Sequence, residues 1–546
     1  MRVNQQLSGW LRRVAVVALI GGLFASGRQL SASEQTTTPL ESQQPVQVPS
    51  VPPPTPGSVI KVTADDAVRM ALEKNLNINA ARLNPQIQDF AVAQAQAVWA
   101  PSLFATFDRR NSNSPPSSFL AGAADTITDA RFATSGGVQQ QLRWGGNYQI
   151  SLDGSRSTTT GFTSFNPTLR SNLSAQYDQP LLRNFTIDAF RQQYLLSRNE
   201  RDVADIQLTQ QITNTSRAVR YAYFNLVGAL GGLQVARQSL DLALESLKNN
   251  RTRVEVGTMA PIDILEAEAE VASNEEAVIL AENNIRSAED ALRVLILDPA
   301  QADYWTARLE PAEQPTLAPV AIDIDAAVAN ALQNRTDVQN LKKQLEANDI
   351  NIKFFDNQRL PNVDLRATYG LVGLGGTQYI FGQEGFPPPI LGTTNRPFGD
   401  VLRDVFGNDY RAWSIGVQIG YPIGTSQAEA GLARNRLERT QGQTSLRALE
   451  LQVANSVRDA GRLVNTNLKR VEATRKAREF AERRLEAEQK RFTVGLSTTF
   501  QLFQAQRDLA RQRQNELNAM IDYNRSLIDF ETVQIAPLGG GGIVRN

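Results

Sequence analysis

The chain contains no cysteine and no histidine, and its 56 lysines and arginines balance 56 aspartates and glutamates. The first two absences remove the thiolate nucleophile, the thiolate and imidazole metal ligands, and the usual neutral-pH general base. The charge balance gives no electrostatic reason to expect a nucleic acid partner. A cysteine-free chain also suits an oxidising envelope compartment, where stray thiols would cross-link. Near the N-terminus, Arg2, Arg12 and Arg13 precede an apolar run from Val14 to Phe24, followed by the small residues Ala25, Ser26 and Gly27. That run of about 11 residues is short of the ~20 a spanning helix needs. Residues 1–33 therefore read as a cleaved secretory signal, and no cysteine follows them to carry a lipid. Residues 34–58, with Pro52, Pro53, Pro54 and Pro56, read as an extended linker.

What is present is a sequence written twice. Val62, Asp65, Ala67, Val68, Ala71, Leu72 and Ile78 correspond to Ile322, Asp325, Ala327, Val328, Ala331, Leu332 and Val338 at an offset of 260, which persists from Pro101 to Pro361. Arg253, Val256, Gly257, Leu265 and Ala267 correspond to Arg491, Val494, Gly495, Phe503 and Ala505 at an offset of 238. The difference between the offsets lies mostly among the strands, as an additional hairpin in the first half would produce. We read residues 59–297 as the first repeat, 298–320 as a linker between repeats, 321–533 as the second repeat, and 534–546 as a flexible tail.

Each repeat is expected to run helix (about 35 residues), strand, loop, strand, helix (about 65 to 70 residues), Val-Gly turn and a further long helix. Such helices far exceed the globular mean of ~11 to 12 residues. Glycines 228, 231, 232, 431, 442 and 461 are candidate bends. Leu240, Leu244, Leu247, Arg251 and Val254, and again Met520, Tyr523, Leu527 and Phe530, have coiled-coil seam spacing.

The strands have period two. Val363, Leu365, Ala367, Tyr369 and Leu371 alternate with polar neighbours, as do Trp413, Ile415, Val417 and Ile419. Leu173, Ala175 and Tyr177 do so in the first half, with a poorer version at Leu103, Ala105 and Phe107. A soluble sandwich alternates identically but needs ~7 strands with short turns. Here the strands stand in small groups between long helices. So few strands cannot close a barrel within one chain, because lipid-exposed edges leave backbone groups unpaired. Several chains must share one.

In this order the sequence resembles the TolC family of outer-membrane efflux proteins over nearly all of residues 60 to 535. The resembling motifs are the helix openings Asp66-Ala67-Val68 and Ala326-Ala327-Val328, the strand entries Ala100-Pro101 and Leu360-Pro361, the strand exits Gln179-Pro180 and Tyr421-Pro422, and the tips Val256-Gly257 and Val494-Gly495-Leu496. The resemblance implies an α+β membrane protein. As a homotrimer it gives four strands per chain to a 12-stranded outer-membrane β-barrel, continued by a periplasmic helical coiled-coil barrel. It implies a passive exit channel in outer-membrane lipid, in a Gram-negative-type envelope, served by a periplasmic adaptor and an inner-membrane transporter. No catalysis or cofactor is expected.

The resemblance places adaptor docking at Val256, Gly257, Val494, Gly495 and Leu496. Related channels carry acidic residues six and nine positions after the second-half glycine, where this chain has Gln501 and Gln504; the same spacing after Gly257 gives Asp263 and Glu266. These four define the expected periplasmic constriction, with Leu265 as a packing residue about 200° round the helix from Asp263. A further hairpin in residues 134–156, turning at Gly145-Gly146, is expected beyond or beside the barrel, and the loop from Gly375 to Arg411 outside the cell. The competing reading is a coiled-coil adaptor or adhesin without a pore. Enzymatic use of Asp65 with Asp66, or of Glu266, Glu268 and Glu270, competes poorly with a helix-start pair and a solvated face.

Overall fold

The computed structural model describes residues 59–116, 125–301, 304–313, 319–383, 385, 388–424 and 426–538. The expected signal, the Pro-rich linker and the glycines at 539–542 lie outside them. The first half runs β1 (Val59–Val62), α1 (Ala64–Lys74), α2 (Leu76–Ala97), β2 (Ser102–Ser114), β3 (Ile127–Gln141), β4 (Asn147–Thr159), β5 (Phe165–Pro180), α3 (Ala189–Glu255) and α4 (Ile262–Ile296). The second runs β6 (Arg308–Pro311), α5 (Ile324–Asn334), α6 (Thr336–Gln358), β7 (Asn362–Phe381), β8 (Ile390–Arg396), α7 (Phe398–Gly407), β9 (Arg411–Gly420), α8 (Gln427–Thr493) and α9 (Thr499–Val533).

The duplication is visible in the lengths. Helices α3 and α8 each have 67 residues, and α4 and α9 each have 35. At ~1.5 Å per residue the longer pair reach about 100 Å. The single helix expected to open each half is instead two, because Asn75 and Arg335 take extended backbone between them. Asn75 ends α1 and starts α2: its Oδ1 accepts from the amides of Asn77 and Ile78, and its Nδ2 donates to the Leu295 carbonyl. The break lets α1 and α5 lie close against α3 and α8, with Ala67, Ala71, Ala327 and Ala331 buried at the contacts.

All the candidate bends lie within unbroken helices, and all but Gly232 are close-approach sites. A Cβ on Gly228 would stand 2.5 Å from Ile521 Cδ1, and one on Gly431 would stand 2.5 Å from the Phe355 ring. The seam at Met520, Tyr523, Leu527 and Phe530 packs as expected. The other is rotated: Ala243 and Leu247 are buried against Ala267, Val271 and Phe503, with Leu240 beside them, while Leu244 is exposed. Polar Ser246 and Asn250 complete this buried stripe, so counting apolar residues alone misplaces it.

One seven-stranded sheet carries the order β2-β3-β4-β5-β7-β8, with β9 on the near end of β7. All pairings are antiparallel. The hairpin expected beyond or beside the barrel is β3–β4, and it lies in line between β2 and β5. Six long strands thus stand side by side where four were expected, with β8 covering the far end of β7. The reason is register: β3 pairs with β2 from Gln139 to Ile127, and β4 with β5 from Asn147 to Ser157. A second, two-stranded sheet joins β1 to β6 in parallel and so ties the start of the first repeat to the linker. At the sheet's near end Asn357 bridges the halves: its Oδ1 accepts from the Asn184 amide at 2.7 Å, and its Nδ2 donates to Thr186 Oγ1 at 3.0 Å.

Candidate functional site

The site is built at the far ends of the long helices. Helix α3 ends at Val256, and Gly257 follows with φ +74°; its amide donates to the Val254 carbonyl and that of Thr258 to the Arg253 carbonyl. Helix α8 ends at Val494, and Gly495 follows with φ +78°; its amide donates to the Phe492 carbonyl and that of Leu496 to the Arg491 carbonyl. Both turns are the glycine-ended Schellman arrangement, which satisfies the last helical carbonyls through one left-handed residue. A Cβ on either glycine would meet nothing within 4 Å, so handedness, not space, requires glycine here.

Around these turns the chain leaves apolar side chains in the open. Val256 is 68% exposed, Val494 70% and Leu496 77%, with Ile262, Leu265 and Phe500 also exposed nearby. Leu265 therefore does not pack within the chain as expected; Ile264, Ala267 and Val271 fill that role on α4.

The four constriction candidates do not behave alike. Asp263 is partly buried and accepts from Thr499 Oγ1 at 3.3 Å, so it faces the second helical hairpin. Glu266 is exposed. Gln501 is occupied at the start of α9: its Oε1 accepts from the Thr498 amide and from Ser497 Oγ, while its own amide donates to Thr498 Oγ1. Gln504 is exposed.

Sequence reasoning missed a buried link between the two hairpins. Glu270, read as part of a solvated face, is buried and accepts from the Arg507 guanidinium through both carboxylate oxygens, with Asn274 Nδ2 at 3.2 Å. The carboxylate hydrogen bond raises the Arg507 pKa above its ordinary value, against the opposing effect of burial. Nearer the tip, Arg253 lies 4.7 Å over the Phe492 ring and donates to its carbonyl, and Gln506 Nε2 donates to Ser246 Oγ at 3.1 Å. The only available signal was the polar interruption of an apolar stripe by Ser246 and Gln506.

The acidic pairs do not assemble a catalytic centre. Asp66 serves the first turn of α1, where hydrogen bonds from Thr63, and then Arg69, hold its carboxyl below the usual range. Asp65 points instead to Arg220 at 3.5 Å. Among the described residues no group of His, Cys, Asp and Glu side chains could hold a metal ion, and no helix is long and apolar enough to cross a membrane.

A duplicated chain that joins an open, one-face-apolar sheet to helices about 100 Å long is an outer-membrane channel protein with a periplasmic helical tunnel. The family model described as "Outer membrane efflux protein" matches residues 67–296 and 327–532, and the chain belongs to that family. Outer membrane protein TolC of Vibrio cholerae is 22% identical over 441 residues, covering 80% of this chain and 91% of that protein. The Campylobacter jejuni CmeC outer membrane channel superposes with a TM-score of 0.60 at 13% identity, covering 93% of this chain and 95% of that one. The open-state Neisseria gonorrhoeae MtrE channel gives 0.57 at 16%, covering 87% and 89%. The chain is an outer-membrane trimer component with a large periplasmic part, and its relatives are channel proteins, not enzymes.

Proposed function

We propose that the trimer is a passive exit duct, receiving substrates from an inner-membrane transporter through a periplasmic adaptor that docks on Val256, Gly257, Val494, Gly495 and Leu496. The observation that carries this reading is the exposure of Val256, Val494 and Leu496 around two left-handed glycine turns, where the helices end and no neighbouring shaft runs alongside to cover them. Apolar surface left at a helix end, with no cover from its own chain, suits a partner that brings its own apolar face. Asp263 and Glu266 lie just inside these turns, and threefold symmetry sets three copies of each around the axis as a negative collar. A pore without that end-on partner surface, serving as a coiled-coil spacer, has no use for exposed Leu496.

The collar is tested in planar bilayers. The wild-type pore should prefer cations, and the Asp263→Asn, Glu266→Gln double variant should lose most of that preference. Glu266→Gln alone should account for the larger share, since Asp263 already accepts from Thr499. Unchanged ion preference in the double variant would move the constriction elsewhere.

A further inference from the structure

We propose that the hairpin β3–β4 is a working part of the membrane wall, so that three chains close a barrel of eighteen strands, wide enough to pass macromolecular cargo. This rests on the trimeric channel reading, and the pairing is its first support. Strand β3 matches β2 residue for residue from Ser102↔Gln139 to Ser114↔Ile127, and β4 matches β3 from Gln141↔Asn147 to Asp129↔Thr159. No register shift interrupts either ladder, whereas β5–β7 has one at Phe165/Thr168.

The second support is that near the helical end of the sheet both faces continue through the hairpin, whereas further along α7 packs on the same apolar face at Gly154 and Gly373. One row across the six strands reads Leu103, Val138, Ile150, Ala175, Tyr369 and Trp413. In that row Leu103, Ile150 and Trp413 are exposed apolar side chains, as a lipid-facing band requires. The neighbouring row on the opposite face reads Gln139, Gln149, Gln176, Thr368 and Ser414, a polar lining. A slip of one residue in either hairpin strand would exchange the faces.

The third is level and direction. The hairpin turns within Leu142–Gly146, where the strand pairs Asn147↔Asp178, Pro180↔Asp364 and Asn362↔Gly420 also end. Its turn is closed by the Leu142 amide on the Gly146 carbonyl at 2.7 Å, and Trp144 Nε1 donates to Tyr177 Oη at 3.2 Å. Gln140 Nε2 holds the Trp99 carbonyl at 2.8 Å, which fixes the hairpin to the helical end of the chain. Short turns on that side are what an outer-membrane barrel uses. Inserting two strands, never one, also keeps β2 and β5 antiparallel with unchanged facing.

Strand number sets width. With strands ~4.8 Å apart and tilted ~40°, twelve strands enclose a backbone cylinder about 24 Å across, and eighteen one about 36 Å across. The membrane section then admits cargo of small-protein width, and selection falls on the periplasmic end.

The chain's lack of cysteine makes a distance test direct. Ser414→Cys on the lumenal face of β9 would carry one spin label per chain in the detergent-solubilised full-length trimer. Pulsed dipolar spectroscopy, corrected for the label arm that points into the lumen, should give an interchain backbone distance near 31 Å for eighteen strands, against roughly 21 Å for twelve. A variant lacking residues 117–161, which removes both hairpin strands, should shorten the distance by about 10 Å; if that variant does not fold, the full-length distance alone decides. A mass-verified trimer whose arm-corrected backbone distance is near 21 Å would overturn the eighteen-strand barrel and leave the channel reading standing. A monomer by mass would overturn both.

Discussion

The tip glycines allow backbone and docking effects to be separated at one position. Gly495 has φ +78°, and a Cβ there meets no atom within 4 Å. Gly495→Ala therefore incurs only the left-handed backbone penalty, about 1 to 2 kcal/mol. Since about 1.4 kcal/mol is tenfold, local opening of the turn should rise roughly 5- to 30-fold. The Leu496 amide, which donates to the Arg491 carbonyl at 2.9 Å, reports that opening by hydrogen exchange. Gly495→Asn should give less than half the effect in energy, because asparagine visits the left-handed region more readily. Gly495→Trp should match alanine in exchange, because the space around the turn is open, yet place a large ring on the proposed docking surface. Trimer yield should stay unchanged across the series while export falls sharply for tryptophan alone. Normal export in the tryptophan variant would rule out docking at this tip, and unchanged Leu496 exchange in the alanine variant would refute the backbone argument.

The Glu270–Arg507 link should hold the two hairpins together. Arg507→Met leaves a carboxylate whose side chain is 6% exposed with only Asn274 beside it. We expect a loss of about 1 to 3 kcal/mol, below the figure for a fully buried pair because the guanidinium is largely exposed. Faster exchange along α4 and α9 would report it, and adding Glu270→Gln should recover part; no recovery would mean that arginine packing, not charge, is responsible. A second link, between α8 and α9, has a pH signature. Burial pushes the Glu482 carboxyl up, but donation from Arg478 and Arg513 outweighs it and holds the pKa below 4.5. Its contribution is therefore full above about pH 4.5 and is lost as pH falls through the folded value. Glu482→Gln should flatten that acid-side decline in melting temperature; an identical decline in the variant would assign it to other carboxylates.

How much of this was legible in the sequence follows the range of the interactions. Helix lengths and the glycine turns were readable because each depends on a short local signal: proline-free runs, and Val-Gly at a repeated offset. Strand faces were readable from period two. The break at Asn75 was missed because a side chain that caps two helices at once looks like any polar residue in a helical stretch. The β1–β6 pair was missed because Val59 and Arg308 are joined only by the fold. Hairpin placement could not be read at all: alternation says which residues share a face, but not which strand is the neighbour, and that is settled by pairing across the whole sheet.

The proposed constriction shows how the two tips of a duplicated chain can differ. At the second tip, helix α9 begins with Thr498 and Gln501 satisfying each other's backbone amides in a reciprocal cap. A glutamine in this role keeps the cap and brings no charge to the lumen. At the first tip, α4 begins after Pro261 with no side-chain cap, and Asp263 sits in its first turn. There the helix N-terminus itself favours negative charge, and the carboxylate reaches across to Thr499 at the start of the other hairpin. In the proposed constriction the two halves therefore divide the work: the second half gains a stable helix start, and the first supplies the charge. For the proposed constriction, the spacing rule marks candidate positions in both halves, and the capping chemistry distinguishes which half bears the acid. Restoring acid at the second tip, as Gln501→Glu, should therefore keep the cap, since glutamate serves the same position. It should also add three charges to the ring and raise cation preference above wild type. Cation preference at or below wild type in that variant would place position 501 outside the lumen.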